Sequence, residues 1–511
     1  MSAHESVANY SPARARDRDA LVARGAPGLP RLLAGIPPRG ALPLEQHLAL
    51  HGPLPSLGRR GSGRALVGAR RGARRGDPAL IEEVERAGLL GRGGAAFPTA
   101  AKLRAVAAAS RSAIGRARPL VVVNGAEGEP ASAKDRALLR SLPHLVLDGA
   151  LLAARAVGAR EIQLGICESA PTALDAVSCA LAEHARVRGG GADGIEMVLR
   201  PVPPRYVAGQ ESALVNHLSG GPALPTFTPP RPFERGVRGR PTFVCNVETL
   251  AHLALIARHG ADWFRELGTP EQPGSALVTL RGPLPHPGVY EIEHGSLLTA
   301  LLDAAGGLAA APRAVLLGGY AGAWIDGSWL SELVLSDAHL EPYGASLGAG
   351  VVAVLSADAC PVAELARLTR WLSSQSARQC GPCIFGLDAI ATAFEQLALA
   401  GVAARGSVRN VRVSGSAGRD AHRTADASHG RAAIDRRLRA LAGLVRGRGA
   451  CGHPDGVARL VESALEVFAP ELDEHARRGP CTACARPSEL PAPKATPTPV
   501  PRAAAPIPPS R

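Results

Sequence analysis

Residues 119–166 read PLVVVNGAEGEPASAKDRALLRSLPHLVLDGALLAARAVGAREIQLGI. PLVVVN is a short continuous apolar run, the pattern of a strand covered on both faces, LPHLVLDGALLAARAVGA has the length of a helix, and EIQLGI is a second strand. Downstream, APTALDAVSCALAEHARV continues as a helix and IEMVLRPV as a strand. Strands alternating with helices of this length predict a parallel α/β sheet. Upstream, GDPALIEEVERAGLLG starts a helix with Asp77 as N-cap and Pro78 at its first position, and Gly88 ends it. GRGGAAFPTAAKL then makes a glycine-rich turn that runs into another helix. From 274 to 355 short strands with Gly and Pro turns surround one helix, a small α+β unit. From 361 the pattern is helical, broken by SVRNVRVSGSAGRDAHRTADASHG, and the chain ends in a Pro/Ala tail. The expected divisions are a flexible basic N-terminal region over 1–76, an α/β domain over 77–273, the α+β unit over 274–355, a helical domain over 356–475 and the tail over 476–511.

The chain has 511 residues, enough for several domains, with aromatics at only 3%. Its net charge of +13 collects in RRGSGRALVGARRGARRGD and in the 403–447 stretch. These runs lack the interleaved aromatics that stack bases, so no nucleic-acid partner is expected. Three lysines, Lys102, Lys134 and Lys494, stand beside 55 arginines, so a lysine kept in a folded region calls for a reason. The most apolar stretch is interrupted by His144, Asp148 and Arg155 short of the ~20 residues a membrane helix needs. The N-terminus has no apolar signal core. No membrane insertion and a cytoplasmic location are therefore expected. Nine cysteines in such a compartment point to metal or redox chemistry rather than a disulfide framework.

The glycines of GRGGAAFPTAAK let the backbone approach a ligand and aim N–H groups at it, and the next helix adds its positive end, a setting for a phosphate. Lys102 lies one turn into that helix. In NGAEGEPASAKDR, directly after a strand, Asn124 can hydrogen-bond a ring edge, and Glu127 and Glu129 flank a glycine. Salt-bridged surface carboxylates are the plainer account of that pair. Cys380 and Cys383 form a C-x2-C pair, half of a metal site or the whole of a redox disulfide. Small buried apolar side chains are the plainer role for Cys167 and Cys179.

Together with YVAGQESALVNHL (206–218), GRPTFVCNVETLAH (239–252), and QCGPC (379–383) followed by GRGAC (447–451), these motifs resemble in kind and order the NADH-binding flavoprotein subunit of respiratory complex I, the 51 kDa type, and related diaphorase subunits. The resemblance runs over residues 78–475. It implies an α/β FMN-binding domain, a ubiquitin-like β-grasp (SLBB) domain and a C-terminal helical bundle carrying a [4Fe-4S] cluster. It assigns FMN contacts to Gly91, Arg92, Gly93, Lys102, Asn124, Glu127, Asn246 and Thr249. Phe97 and Glu129 would line the nicotinamide side, with Glu129 as the catalytic residue. The activity implied is hydride transfer from NAD(P)H to flavin N5, then single electrons to the cluster and to a ferredoxin-like or other electron-transfer subunit. A ferredoxin-fed flavoprotein without a working NADH site, or a docking subunit poor in cofactors, are the other readings.

Departures from the family pattern bear on the nucleotide side. NADE reads NGAE here, leaving Ala126 in place of a carboxylate, GEET reads GQES, placing Gln210 where an acid stands, and Cys245 replaces an Asn. LKPPF has become FTPPRPF, and an aromatic is missing after Lys102. In the cluster pattern C-x2-C-x2-C with a distant fourth cysteine, Ala377 takes the first position, leaving Cys380, Cys383 and Cys451. His453, Cys360 and the pair Cys481 and Cys484 remain open as the fourth ligand, as does a three-cysteine cluster.

Overall fold

The computed structural model describes residues 21–22, 29–55, 77–112, 118–187, 194–403 and 436–491. The basic run 59–76, most of the polar 403–447 stretch and Lys494 lie outside these residues. The chain divides into two units, Met1–Asp358 and Ala359–Arg511.

The first unit is built on β2 (Leu120–Gly125), β3 (Glu161–Cys167), β4 (Glu196–Val202) and β5 (Thr242–Asn246), hydrogen-bonded in the order β4-β3-β2-β5 and all parallel. Both faces are covered, as the unbroken apolar run in β2 requires. Val121 and Val123 point into the helix-packed core, and Leu120 and Val122 into a second cluster with Leu214 and Val244. The chain steps outward from β2 to β3 and β4, then returns to place β5 on β2's other side. That reversal opens a crevice beyond the carboxyl ends of β2 and β5, where such sheets bind ligands.

Helix α2 (Pro78–Ala87) is capped as its sequence requires: Asp77 accepts the Ala79 N–H at 2.9 Å, and Gly88 ends it at φ +70°. Helix α3 (Thr99–Ser112) follows the glycine turn. Between β2 and β3 the structure departs from a single helix. α4 (Lys134–Ser141) and α5 (Pro143–Val157) meet at 98°, because Pro143 cannot continue α4's hydrogen bonding and starts α5 instead. α5 packs on α8 (Val247–His259) at backbone distance. A Cβ on Gly149 would lie 1.9 Å from the Leu250 carbonyl oxygen, so only glycine fits there. α6 (Pro171–Val187) and α7 (Glu211–Leu218) complete the layers.

The second sheet has the order β1-β7-β6-β10-β8-β9: Leu21–Val22, Gly288–Glu293, Ser275–Arg281, Val351–Ser356, Pro312–Leu317 and Ala323–Asp326. It is mixed, with β10 parallel to β6 and antiparallel to β8, and α9 (Leu298–Ala304) contributes to its separate core with Tyr290, Leu333 and Val354. Within the N-terminal region expected to be flexible, residues 29–55 are anchored. Leu32 and Leu33 are fully buried, and one buried carboxylate, Glu291, accepts the N–H groups of Arg31, Leu32 and Leu33 at 3.0, 2.9 and 3.0 Å. α1 (Leu44–His51) follows.

In the second unit Cys360 caps α10 (Pro361–Ser374), a π-helical turn Pro382–Gly386 leads into α11 (Leu387–Ala403), residues 436–445 are helical, and α12 (His453–Val467) and α13 (Ala469–Arg478) follow. Among the described residues, one helical stretch, the 18 residues Pro382–Leu399, is long and apolar enough to cross a membrane, and 39% of it is buried.

Candidate functional site

Two adjoining clefts of about 360 and 230 Å³ open at the carboxyl ends of β2 and β5, sharing Gly93, Asn124, Gly209, Gln210 and Asn246 as walls. The larger is lined by Gly91, Phe97, Lys102 and Thr249, the smaller by Arg92, Glu127, Glu129 and Ala349. All ten cofactor and catalytic residues expected from the sequence, on three distant stretches, thus line one composite site. Its size suits a small-molecule cofactor.

The glycine turn is tied at its base. Gly91 donates to the Phe97 carbonyl at 2.9 Å, the Arg92 N–H to Thr249 Oγ1 at 2.8 Å, and Ala96 is held at φ +47°. Among the described residues, the N–H of Gly93, in the wall of both clefts, meets no acceptor, which leaves it for an anion. Lys102 Nζ donates to Glu211 Oε1 at 2.8 Å and to the Val244 carbonyl at 3.2 Å, and lies 6.0 Å from the Phe97 ring centroid. Phe97 is 49% exposed at the cleft mouth. The Arg92 guanidinium is buried and donates to the Pro273 and Ser275 carbonyls at 3.3 and 3.1 Å.

The carboxylates divide by task. Glu127 accepts from the Asp135 and Arg136 N–H groups at 3.1 and 3.2 Å and from Ser132 Oγ at 2.6 Å, so it caps the positive end of α4. Glu129 accepts from the Ala131 and Tyr320 N–H groups at 3.1 and 2.8 Å. Burial pushes its carboxyl up to about 7, against the pull of those two donors. Gly319 belongs to this grip, since a Cβ there would stand 2.7 Å from Glu129 Oε2. Asn246 caps α8 by accepting the Glu248 N–H at 3.0 Å and donates to Asp135 at 2.6 Å. Asn124 donates to the Gly209 carbonyl at 2.9 Å and accepts the Ala126 N–H at 3.2 Å, fixing the turn after β2.

A buried network forms part of the smaller cleft's wall. Lys134 Nζ meets Asp135 at 2.7 Å and Glu248 at 2.8 Å. Burial alone would raise the Glu248 carboxyl, but Lys134, His252 and Arg92 hold it at about 2. Breaking such a buried pair by removing one partner costs about 3–5 kcal/mol. The sequence marks Lys134 as unusual but not its partner, which lies on α8.

Comparison with known proteins agrees with this geometry. The Nuo51 FMN-binding domain model of the complex I 51 kDa family matches residues 84–255. The NADH-quinone oxidoreductase F subunit of Mycobacterium tuberculosis (strain ATCC 25618 / H37Rv) is 30% identical over 417 residues, covering 79% of this chain and 85% of that protein. This chain belongs to the family of NADH-quinone oxidoreductase F subunits. The corresponding protein of Streptomyces coelicolor is 27% identical over 413 residues, covering 78% of this chain and 82% of its own. Among solved structures, NAD+-reducing [NiFe]-hydrogenase in the H2-reduced state superposes with TM-score 0.66 at 30% identity, over 78% of this chain. The chain spans 62% of that hydrogenase chain.

Beyond the matched domain, this family member gathers its cysteines in the second unit into two groups. Cys380, Cys383 and Cys451 are neighbours: burial pushes the Cys383 thiol up to about 12, and Cys380 and Cys451 add to the rise. Ala377 and His453 offer backbone N–H groups to the Cys383 and Cys451 sulfurs, respectively. Arg378, between Ala377 and Cys380, holds φ +54°. His453 Nε2 donates to the Leu372 carbonyl at 3.0 Å, which makes Nδ1 the lone-pair nitrogen of its ring. Cys360, Cys481 and Cys484 collect instead around His475. Sequence reasoning missed this histidine, which stands in an ordinary amphipathic helix, and it missed Glu211, whose side chain holds Lys102.

Proposed function

We propose that this chain is a flavin and iron–sulfur oxidoreductase subunit. It binds FMN in the composite cleft, takes electrons from NAD(P)H, and passes them to a [4Fe-4S] cluster and on to a ferredoxin-like or other electron-transfer subunit. The reading rests on one observation: Gly93, Lys102, Asn124, Glu129 and Asn246 converge from distant stretches on one cleft at the sheet's switch point. The donor set fits the cofactor. A glycine N–H without an acceptor and a lysine at the start of a helix suit a phosphate, and the glycine walls admit a flat ring system.

FMN, when bound, converts a two-electron donor into single-electron output. The chain's own residues do the rest. Gly93 and Lys102 hold the phosphate. Glu127, by capping α4, positions the loop that carries Glu129. Phe97 offers an apolar face at the mouth, and Glu129, whose carboxyl burial pushes up to about 7, can hold or release a proton near neutral pH. Residues 274–355 correspond in this reading to the SLBB β-grasp domain and 356–475 to the cluster-binding helices, with Cys380, Cys383 and Cys451 as ligands and His453 Nδ1 as the fourth. A peripheral position on the cytoplasmic side follows from the same reading.

Anaerobic titration of the FMN-loaded chain with NADH tests it. Bleaching of the flavin absorbance is expected, at weaker affinity than an intact family pocket gives, because Ala126 and Gln210 have replaced acids. Bleaching by reduced ferredoxin but not by NADH would favour the ferredoxin-fed alternative. A chain that retains no flavin would defeat both.

A further inference from the structure

Four metal-ligating side chains outside the clefts, on three separate pieces of the second unit, converge on one point. Cys360 Sγ lies 3.4 Å from His475 Nε2 and 3.4 Å from Cys484 Sγ, Cys484 Sγ lies 3.8 Å from Cys481 Sγ and 3.9 Å from His475 Nε2, and all four atoms fall within 4.8 Å of one another. Four ligands around one ion at the usual ~2.3 Å zinc–sulfur and ~2.0 Å zinc–nitrogen lengths would be spaced at about 3.5–3.8 Å. The sulfurs are too close together to embrace a four-iron cube, and none of the pairs is bonded. Neutral thiols are weak donors, so three of them facing an imidazole gain little without an ion.

Each ligand is placed by a different local device. Cys360 is the N-cap of α10, and its sulfur accepts the Ala363 N–H at 3.4 Å. His475 sits near the end of α13 and is 2% exposed. Cys481 and Cys484 form a C-x2-C knuckle closed by the Cys484 N–H on the Cys481 carbonyl at 3.2 Å. The chain after it is tied to the same helix as Cys360: Ser488 Oγ and the Glu489 N–H donate to the Glu364 carboxylate at 2.9 and 3.0 Å, and Leu490 is buried. Residues 479–491 contain one short 3-10 turn and little apolar surface, so packing alone gives them little reason to stay in place.

We propose that Cys360, His475, Cys481 and Cys484 bind one structural zinc ion in a closed tetrahedral Cys3His site that fastens the segment after α13 to the start of α10. Tetrahedral thiolate and imidazole ligation with no open position is the pattern of structural zinc. Binding releases the thiol protons to solvent and changes no oxidation state. The site is distinct from the Cys380, Cys383 and Cys451 group and stands whether or not that group carries iron.

The experiment is a zinc and iron count on the full chain, purified without chelator, in wild type and in Cys481→Ser, Cys484→Ser, His475→Ala and Cys380→Ser. One zinc per chain is expected in wild type, with loss in the first three variants and none in Cys380→Ser. Replacement of the metal by cobalt should give the intense visible bands of a tetrahedral ion with thiolate charge transfer. If the knuckle variants do not fold, chelator treatment of wild type serves instead, and trypsin should then cut at Arg478 and Arg486, which the zinc-loaded chain protects. A wild type that takes up no zinc, zinc retained in both cysteine variants, or a Cys481–Cys484 disulfide in protein as purified would each overturn the assignment.

Discussion

Lys102 has a carboxylate partner already, and that fact sets what its removal should do. The ammonium sits 2.8 Å from Glu211 at the edge of the larger cleft, one turn into a helix whose preceding glycine turn presents the Gly93 N–H without an acceptor. A phosphate there would gain a charge-assisted hydrogen bond worth about 1.5–3 kcal/mol. Lys102→Ala should therefore release flavin on gel filtration, whereas Glu211→Gln should retain it, because the competing carboxylate is gone and the lysine remains. Full retention of flavin in Lys102→Ala would remove this residue from the site. Scarcity of lysine marks both Lys102 and Lys134 in the sequence, but it cannot sort them. Lys102 borders the larger cleft and Lys134 the smaller, but Lys134 is locked between Asp135 and Glu248, and that difference depends on a partner brought in by α8.

The helices next to the sheet carry a second set of buried polar groups that hydrophobic patterning does not reveal. His47 and His51 of α1, His144 of α5 and His184 of α6 lie ring to ring at 4.9, 5.5 and 5.2 Å between centroids. His47 meets Asp148 at 2.8 Å, Arg258 shares that carboxylate, and His144 meets Glu183 at 2.9 Å. Burial, then His47 and Arg258, lower His51 to about 4, and burial with His47 also lowers His144. Between about pH 6.5 and 4 the unfolded chain therefore binds protons that the folded chain refuses, so stability is full above about 6.5 and is lost as pH falls. The expected result is a lower melting temperature at pH 5 than at pH 7.5, with a smaller difference in the double variant His51→Gln/His144→Gln. An unchanged pH dependence in that variant would place its origin elsewhere. The same cluster explains why 29–55 is hard to read from sequence. Its anchors are Glu291, Asp148 and the buried Leu32, Leu33, Leu42 and Leu44, not a periodic apolar face. The parallel sheet is legible because β2 is a continuous apolar run and strands alternate with helices after it, and α2 because Asp77, Pro78 and Gly88 are local signals. The 98° break at Pro143 is local too, dividing the polar KDRALLRS of α4 from the apolar run that opens α5.

Across the whole molecule the nine cysteines sort by environment rather than by spacing. Cys167 and Cys179 belong to β3 and α6, Cys245 lies under the cleft wall where burial pushes its thiol up to about 12, and the remaining six divide into two groups of three. The sequence shows two C-x2-C pairs but not which distant residue completes each, because Cys360 and His475 are joined to Cys481 and Cys484 only by the folding of α10 against α13. The division makes a truncation decisive. A chain cut after Arg478 keeps Cys380, Cys383, Cys451 and His453 and loses two thiolates of the Cys3His group. With the ligands assigned as above, EPR of the dithionite-reduced protein and an iron count should be unchanged by the cut, while zinc is lost. Cys380→Ser, Cys383→Ser or Cys451→Ser should degrade the iron signal and leave zinc in place, since each missing thiolate opens an iron to water or loss. His453→Ala should alter the iron signal if Nδ1 is the fourth ligand, and an unaltered four-iron spectrum would leave the cluster with three protein ligands. Iron lost on truncation would instead move the fourth ligand to the Cys481 and Cys484 pair, and would require those thiolates to leave His475.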